Sequence, residues 1–191
     1  MNKFLTFFDP FFAYIDAGKI FRKPFSWLYG FIAILNALFP FFLLYWFIGF
    51  FDSLGGQQIF GMILLWLVFL AAGWFSFQLW WNRMTKVATL TSNNDEFIVT
   101  PLYAHLLQTF GEWLGGYVAI VGALSALFLW IFIDPSVISN LFHYVGGGAV
   151  FGFGIAGILI APIYGFLILI SFRFLAEIAK ALASIANNTK K

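Results

Sequence analysis

Gln57–Asn82 reads QQIFGMILLWLVFLAAGWFSFQLWWN, and Arg83 follows directly. No side chain in this stretch carries a charge. An uninterrupted apolar run of 18 or more residues is long enough to cross a hydrocarbon core of about 30 Å as a helix. Three further stretches share this character, residues 25–51, 115–133 and 146–172. The sequence therefore predicts an all-α membrane protein with four transmembrane helices.

The charges between these runs set the expected orientation. Lys3, Lys19, Arg22 and Lys23 precede the first run. Arg83 and Lys86 follow the second, and Arg173, Lys180, Lys190 and Lys191 follow the fourth. The segments at Asp52 and Asp134 hold no base. Basic residues stay cytoplasmic. All ten lie on one side if both termini are inside, the arrangement expected for a multi-pass protein of a bacterial inner membrane.

Composition agrees. Hydrophobic residues make up 62% and charged residues 9% of the chain, against about a quarter charged in soluble domains. A net charge of +2, spread over several segments, gives no concentrated basic patch for nucleic acid. With no Cys, disulfides and thiolate metal sites are excluded. No small-residue cleavage site follows a short apolar core near Met1, so insertion is expected to use the first span itself.

The remaining segments read as interfacial. Phe4, Leu5, Phe7, Phe8, Phe11, Phe12 and Ile15 alternate with Lys3, Asp9, Asp16 and Lys19, as in a helix lying in the membrane surface. Pro10 is placed to start it. Leu102, Tyr103, Leu106, Leu107, Phe110 and Trp113 recur at three and four, predicting a second interfacial helix after Thr100-Pro101. Residues 83–114 are otherwise read as an inner loop, with Asp95, Glu96 and Glu112 as solvated charges balancing Arg83 and Lys86. Trp27, Tyr29, Tyr45, Trp46, Trp80, Trp81, Trp113, Tyr117 and Trp130 fall near span ends, where an aromatic belt is expected. Pro40 and Pro162 are the expected bends of spans one and four. Past Arg173 the fourth span is expected to continue as a helical tail, with Phe174, Ile178, Leu182 and Ile185 on one face.

The chain also reads as an internal repeat, residues 1–94 and 95–191. Asp9-Pro10-Phe11-Phe12-Ala13-Tyr14 parallels Thr100-Pro101-Leu102-Tyr103-Ala104-His105. Gly30-Phe31-Ile32-Ala33-Ile34 parallels Gly116-Tyr117-Val118-Ala119-Ile120. Asn36 and Ser125 then occupy matching positions. Each unit is an interfacial helix followed by a helix hairpin, with both hairpins the same way up. The pseudo-axis then lies along the membrane normal, unlike that of inverted repeats.

Ile160-Ala161-Pro162, Arg173, Glu177, Ile185 and Asn188 form an I-A-P, then R-x3-E-x7-I-x2-N arrangement at the membrane exit. On these residues the chain resembles, over roughly 100–189, a bacterial family of short two-helix membrane proteins, domain of unknown function family 4282. The first unit departs from the pattern, with Leu79 and Arg83 where Arg and Glu belong. The resemblance implies a two-helix unit in a bacterial inner membrane and no known activity.

Candidate functional residues are few. His105 and His143 are expected on opposite sides of the bilayer, which excludes a joint metal or haem site. Asn36, Ser76, Gln78 and Ser125 are the polar residues within spans, and such groups usually bond a neighbouring helix. No ionisable group stands within a span, which argues against proton-coupled transport. Stripes of small residues suit close helix packing: Gly115, Ala119 and Ala123; Gly148, Gly152 and Ala156; Gly157, Ala161 and Gly165. Arg173, Glu177 and Lys180 are candidates for cytoplasmic interaction. No paired acid–base geometry and no cofactor motif is present. The sequence thus points to a non-enzymatic accessory or scaffold subunit. Its partners are membrane lipids and either another membrane protein or further copies of itself. The alternative is a small oligomeric transporter or channel.

Overall fold

The computed structural model describes residues 7–16, 19–89, 99–132 and 156–189. Within them are five α-helices: α1 (Asp9–Asp16), α2 (Lys19–Ile48), α3 (Gly56–Thr89), α4 (Val99–Phe132) and α5 (Ala156–Thr189). The last four are each long and apolar enough to cross a membrane, which makes the chain a multi-pass membrane protein.

Three boundaries differ from the sequence reading. The Lys19–Lys23 cluster is the first turn of α2, not a segment before it. α3 continues past Arg83 to Thr89. The expected second interfacial helix is not a separate element, because Val99–Phe132 is one continuous helix. No proline or polar run interrupts that stretch after Pro101, so nothing ends the helix before Gly115-Gly116. Of the expected inner loop of 83–114, residues 83–89 and 99–114 are helical, and residues 90–98 lie outside the described residues. The Asp95, Glu96, Asp134, His143, Gly148 and Gly152 readings also fall outside them.

α1 begins where Pro10 places it, and the N–H groups of Phe11 and Phe12 both donate to the Phe8 carbonyl at 3.0 Å. The α2–α3 connection is a short uncharged turn built on a 3₁₀ segment, Phe51–Ser53. Gly55 N–H donates to Gln58 Oε1 at 3.0 Å, the return half of a capping box at the start of α3. A turn this tight makes α2 and α3 antiparallel neighbours. Their contacts follow that register: Gly30 lies beside Met84, Pro40 beside Gly73, and Phe47 packs with Met62 and Leu65.

α4 and α5 are likewise antiparallel. Gly111 faces Phe172, Gly115 faces Gly165, and Gly122 faces Ala161. α3 and α4 run antiparallel too, from Gly61 against Phe132 to Arg83 against Glu112. The starts of α2 and α4 and the ends of α3 and α5 therefore share one end of the molecule. That end carries Lys23, Arg83, Lys86, Arg173 and Lys180.

The array is open rather than a closed four-helix bundle. The extensive contacts are α4 with α5, α2 with α3, and α3 with α4; α5 has no comparable contact with α2 or α3. The glycines of the close approaches explain the pairing. A Cβ on Gly73 would stand 2.6 Å from Pro40 Cγ and 2.8 Å from the Asn36 carbonyl oxygen. That carbonyl is the one Pro40 leaves without its usual helical donor, so α3 crosses where α2 has a free backbone oxygen.

Candidate functional site: a polar ladder joining α2, α3 and α4

His105, Gln108, Thr109 and Glu112 are spaced 3, 1 and 3 along α4, which puts them on one helical face. This face points into the protein. His105 Nδ1 lies 2.9 Å from the Tyr29 hydroxyl of α2. Thr109 donates to the His105 carbonyl at 2.8 Å, and its hydroxyl lies 3.5 Å from Nδ1. Thr109 is 1% exposed. One turn on, Arg83 of α3 donates to Glu112 Oε2 at 2.6 Å, and Gln108 donates to Glu112 Oε1 at 2.9 Å. Next, the Trp113 indole N–H is shared between Asn36 Oδ1 of α2 at 3.0 Å and Ser76 Oγ of α3 at 3.1 Å. The Asn36 amide N–H closes on its own helix at the Ile32 carbonyl, 2.9 Å away.

Aromatic rings seal the ladder. Trp80 is fully buried, with its ring 5.1 Å from that of Tyr29 and 6.1 Å from that of Trp113. Its own N–H has no acceptor among the described residues, and neither the Tyr117 hydroxyl nor Ser125 Oγ has a partner there. Tyr29 and Trp80 are thus core residues, not members of an interfacial belt, and Trp113 is half-buried against them. Trp27, Tyr45, Trp81 and Trp130 do stay exposed, as a belt requires.

Glu112 is not a solvated loop charge. It sits on a helix, pairs with Arg83, and each side chain is about one-fifth exposed. The reason is the continuity of α4, which turns the polar stripe toward α3 instead of into an inner loop. The stripe itself was visible in the sequence as His105, Gln108, Thr109 and Glu112.

The other candidates scatter. Asn36 joins the ladder; Ser125 is buried on α4 away from it, so the two matched positions have different surroundings. Gly157, Ala161 and Gly165 are buried, and Ala161 and Gly165 pack on Gly122, Ala119 and Gly115 of α4. Ala156 and Gln78 are exposed. Arg173 and Glu177 approach at 3.7 Å on the open surface of α5, and Lys180 is exposed one turn on.

The ladder is suited to holding three helices in register. Its carboxylate accepts from both Arg83 and Gln108, and its imidazole is bonded to Tyr29. No group of three or more metal-ligating side chains occurs among the described residues. A lipid-facing cleft of about 470 Å³ opens between α3 and α4, lined by apolar side chains including Leu64, Val68, Phe75, Ile120, Leu124 and Phe128.

No family model matches the chain, and no curated protein or solved structure does either.

Proposed function

We propose that this chain is a non-enzymatic protein of the bacterial inner membrane that works by association, as an accessory or scaffold subunit. Both termini are cytoplasmic in this reading, since the basic end of the helix array is the end that stays inside. The hydrocarbon boundary on that side lies at the level of Arg83, Glu112 and Arg173. From there, Arg83 back to Gly56 covers about 40 Å along α3 at 1.5 Å per residue, enough to cross one hydrocarbon core with tilt.

The observation that carries the proposal is what extends beyond this level. Val99–Gly111 of α4 and Phe174–Thr189 of α5 continue for about 20 and 24 Å on the basic side. The opposite side has only the short α2–α3 turn among the described residues. We place the contacts with partners at the cytoplasmic end, where the described helices extend furthest, and in the bilayer. α1 lies in the headgroup layer in this reading, supported by the exposure of Phe7, Phe8, Phe11 and Phe12. Residues 1–94 and 95–191 act as tandem units. In support, each holds two antiparallel helices that enter and leave at the basic end.

Association is tested by extracting the tagged full chain in mild detergent, with and without the residues after Phe174. The expected result is a defined complex of several polypeptides that the truncation disperses. A full-length monomer that passes solute across liposomes overturns the reading in favour of transport. So does a truncation that leaves every co-purifying chain in place.

A further inference from the structure

Past Arg173 the exposed surface of α5 divides into two faces. Within the span, one stripe runs through Leu159, Ile163, Phe166 and Ile170, all exposed. Its continuation beyond Arg173 holds Glu177, Ala181, Ser184 and Asn188. A lipid-facing surface turns polar in this way when it leaves hydrocarbon. The neighbouring stripe does not turn. Leu175, Ile178, Leu182 and Ile185 follow one another at intervals of three, four and three, and are 48, 39, 62 and 59% exposed.

These four side chains lie well round the helix from the face that packs on α4, which runs through Ala161, Gly165, Phe172 and the buried Ala176. α4 continues alongside in the same antiparallel register toward Val99, so this part of α5 stands off the membrane with it. Ile185 is about 18 Å beyond Arg173 along the helix. At that height, on the boundary proposed above, the stripe stands clear of lipid, and no described residue of this chain covers it.

We infer that Leu175, Ile178, Leu182 and Ile185 form the seam of a parallel coiled coil between three or four copies of this chain. The inference rests on the association reading above and names its partner. Three features select other copies. The 3-4-3 spacing is that of heptad a and d positions, and the membrane holds all copies parallel, the orientation in which identical seams meet. The flanking e and g positions, Phe174, Ala179, Ala181, Ala186 and Asn188, are uncharged and give no code for an unlike chain. Arg173, Glu177 and Lys180 stand at outer positions, clear of the seam. With Leu at a and Ile at d, three or four strands are favoured over two. Two heptads alone make a weak coil, but confinement by the spans raises the effective concentration of the tails.

The chain has no Cys, so single cysteines report without background. In oxidised native membranes, Leu182→Cys and Ile185→Cys are expected to link chain to chain. Ser184→Cys, on the polar face, is expected to link at least tenfold less. Native mass spectrometry of the full chain in nanodiscs is expected to show three or four copies, falling to one in Leu182→Glu with helix content and insertion kept. Equal linking at Ser184→Cys, a native mass of one or two copies, or quenching of Leu182→Trp fluorescence by brominated lipid overturns the seam. Stoichiometric linking of Leu182→Cys to a different protein also overturns it, while leaving the association reading in place.

Discussion

Arg83 on α3 places Nη2 2.6 Å from Oε2 of Glu112 on α4, and the pair is about four-fifths withdrawn from solvent. An ion pair so placed contributes mainly by what its loss leaves behind, a charge in low dielectric without a counter-charge. Glu112→Gln is therefore expected to cost about 1–3 kcal/mol, and Arg83→Met a similar amount. The swap Arg83→Glu with Glu112→Arg should recover at least half of the loss. Thermal unfolding in one detergent, followed by tryptophan fluorescence, reads all three. An unchanged melt for Glu112→Gln would show that the pair is solvated after all.

Trp113 spends one N–H on two acceptors from two other helices. Trp113→Phe keeps most of the ring volume and removes only the donor. Interhelical hydrogen bonds of this kind contribute about 0.6–2 kcal/mol. A double-mutant cycle between Trp113→Phe and Asn36→Leu should show coupling of that size. Additive losses would mean that Asn36 and Trp113 contribute separately.

The four apolar helices were readable because length and the absence of charge suffice to define a span. The ladder was only half readable. Asn36 stands out as an amide inside a span, but its partner Trp113 reads as an interfacial residue, as aromatic residues near span ends usually do. Glu112 reads as a solvated charge because the segment before Gly115 is amphipathic. Amphipathicity does not say whether the polar side meets solvent or another helix's polar side. Arg83 on the end of α3 settles that, and it becomes relevant only once α3 and α4 are antiparallel and in register. The small-residue stripe Gly157–Ala161–Gly165 had the right chemistry from the start, but the sequence left open whether it met α4 or another subunit.

The alternation of the helices gives a test of sidedness that does not depend on the register of the bilayer. Ser53, at the α2–α3 turn, and Thr189, at the end of α5, lie at opposite ends of the array. A membrane-impermeant thiol reagent added to intact cells should modify Ser53→Cys. Thr189→Cys should react only after the membrane is opened. The reverse pattern would invert the proposed orientation, and labelling of both from outside would reject four spans.

Gly165 and Gly116 offer the sharpest test of the packing that builds the second half of the array. A Cβ on Gly165 would lie 2.6 Å from the Cβ of Ala119 and closer still to the Gly115 carbonyl, so backbone would have to move. A Cβ on Gly116, one residue along α4 from that contact, meets nothing within 4 Å. Both are helix-interior glycines, and each Gly→Ala change brings the same gain in helix propensity, roughly 1 kcal/mol. What separates them is the α4–α5 contact. Overpacking of this kind costs about 1–3 kcal/mol, and more where backbone is struck. Gly116→Ala should therefore unfold at or above the temperature of the parent chain, and Gly165→Ala clearly below it. Gly165→Leu should separate α4 from α5 and disperse any assembly that the tail of α5 supports. Equal melts for the two alanine variants would show that α4 and α5 are not in van der Waals contact at this crossing.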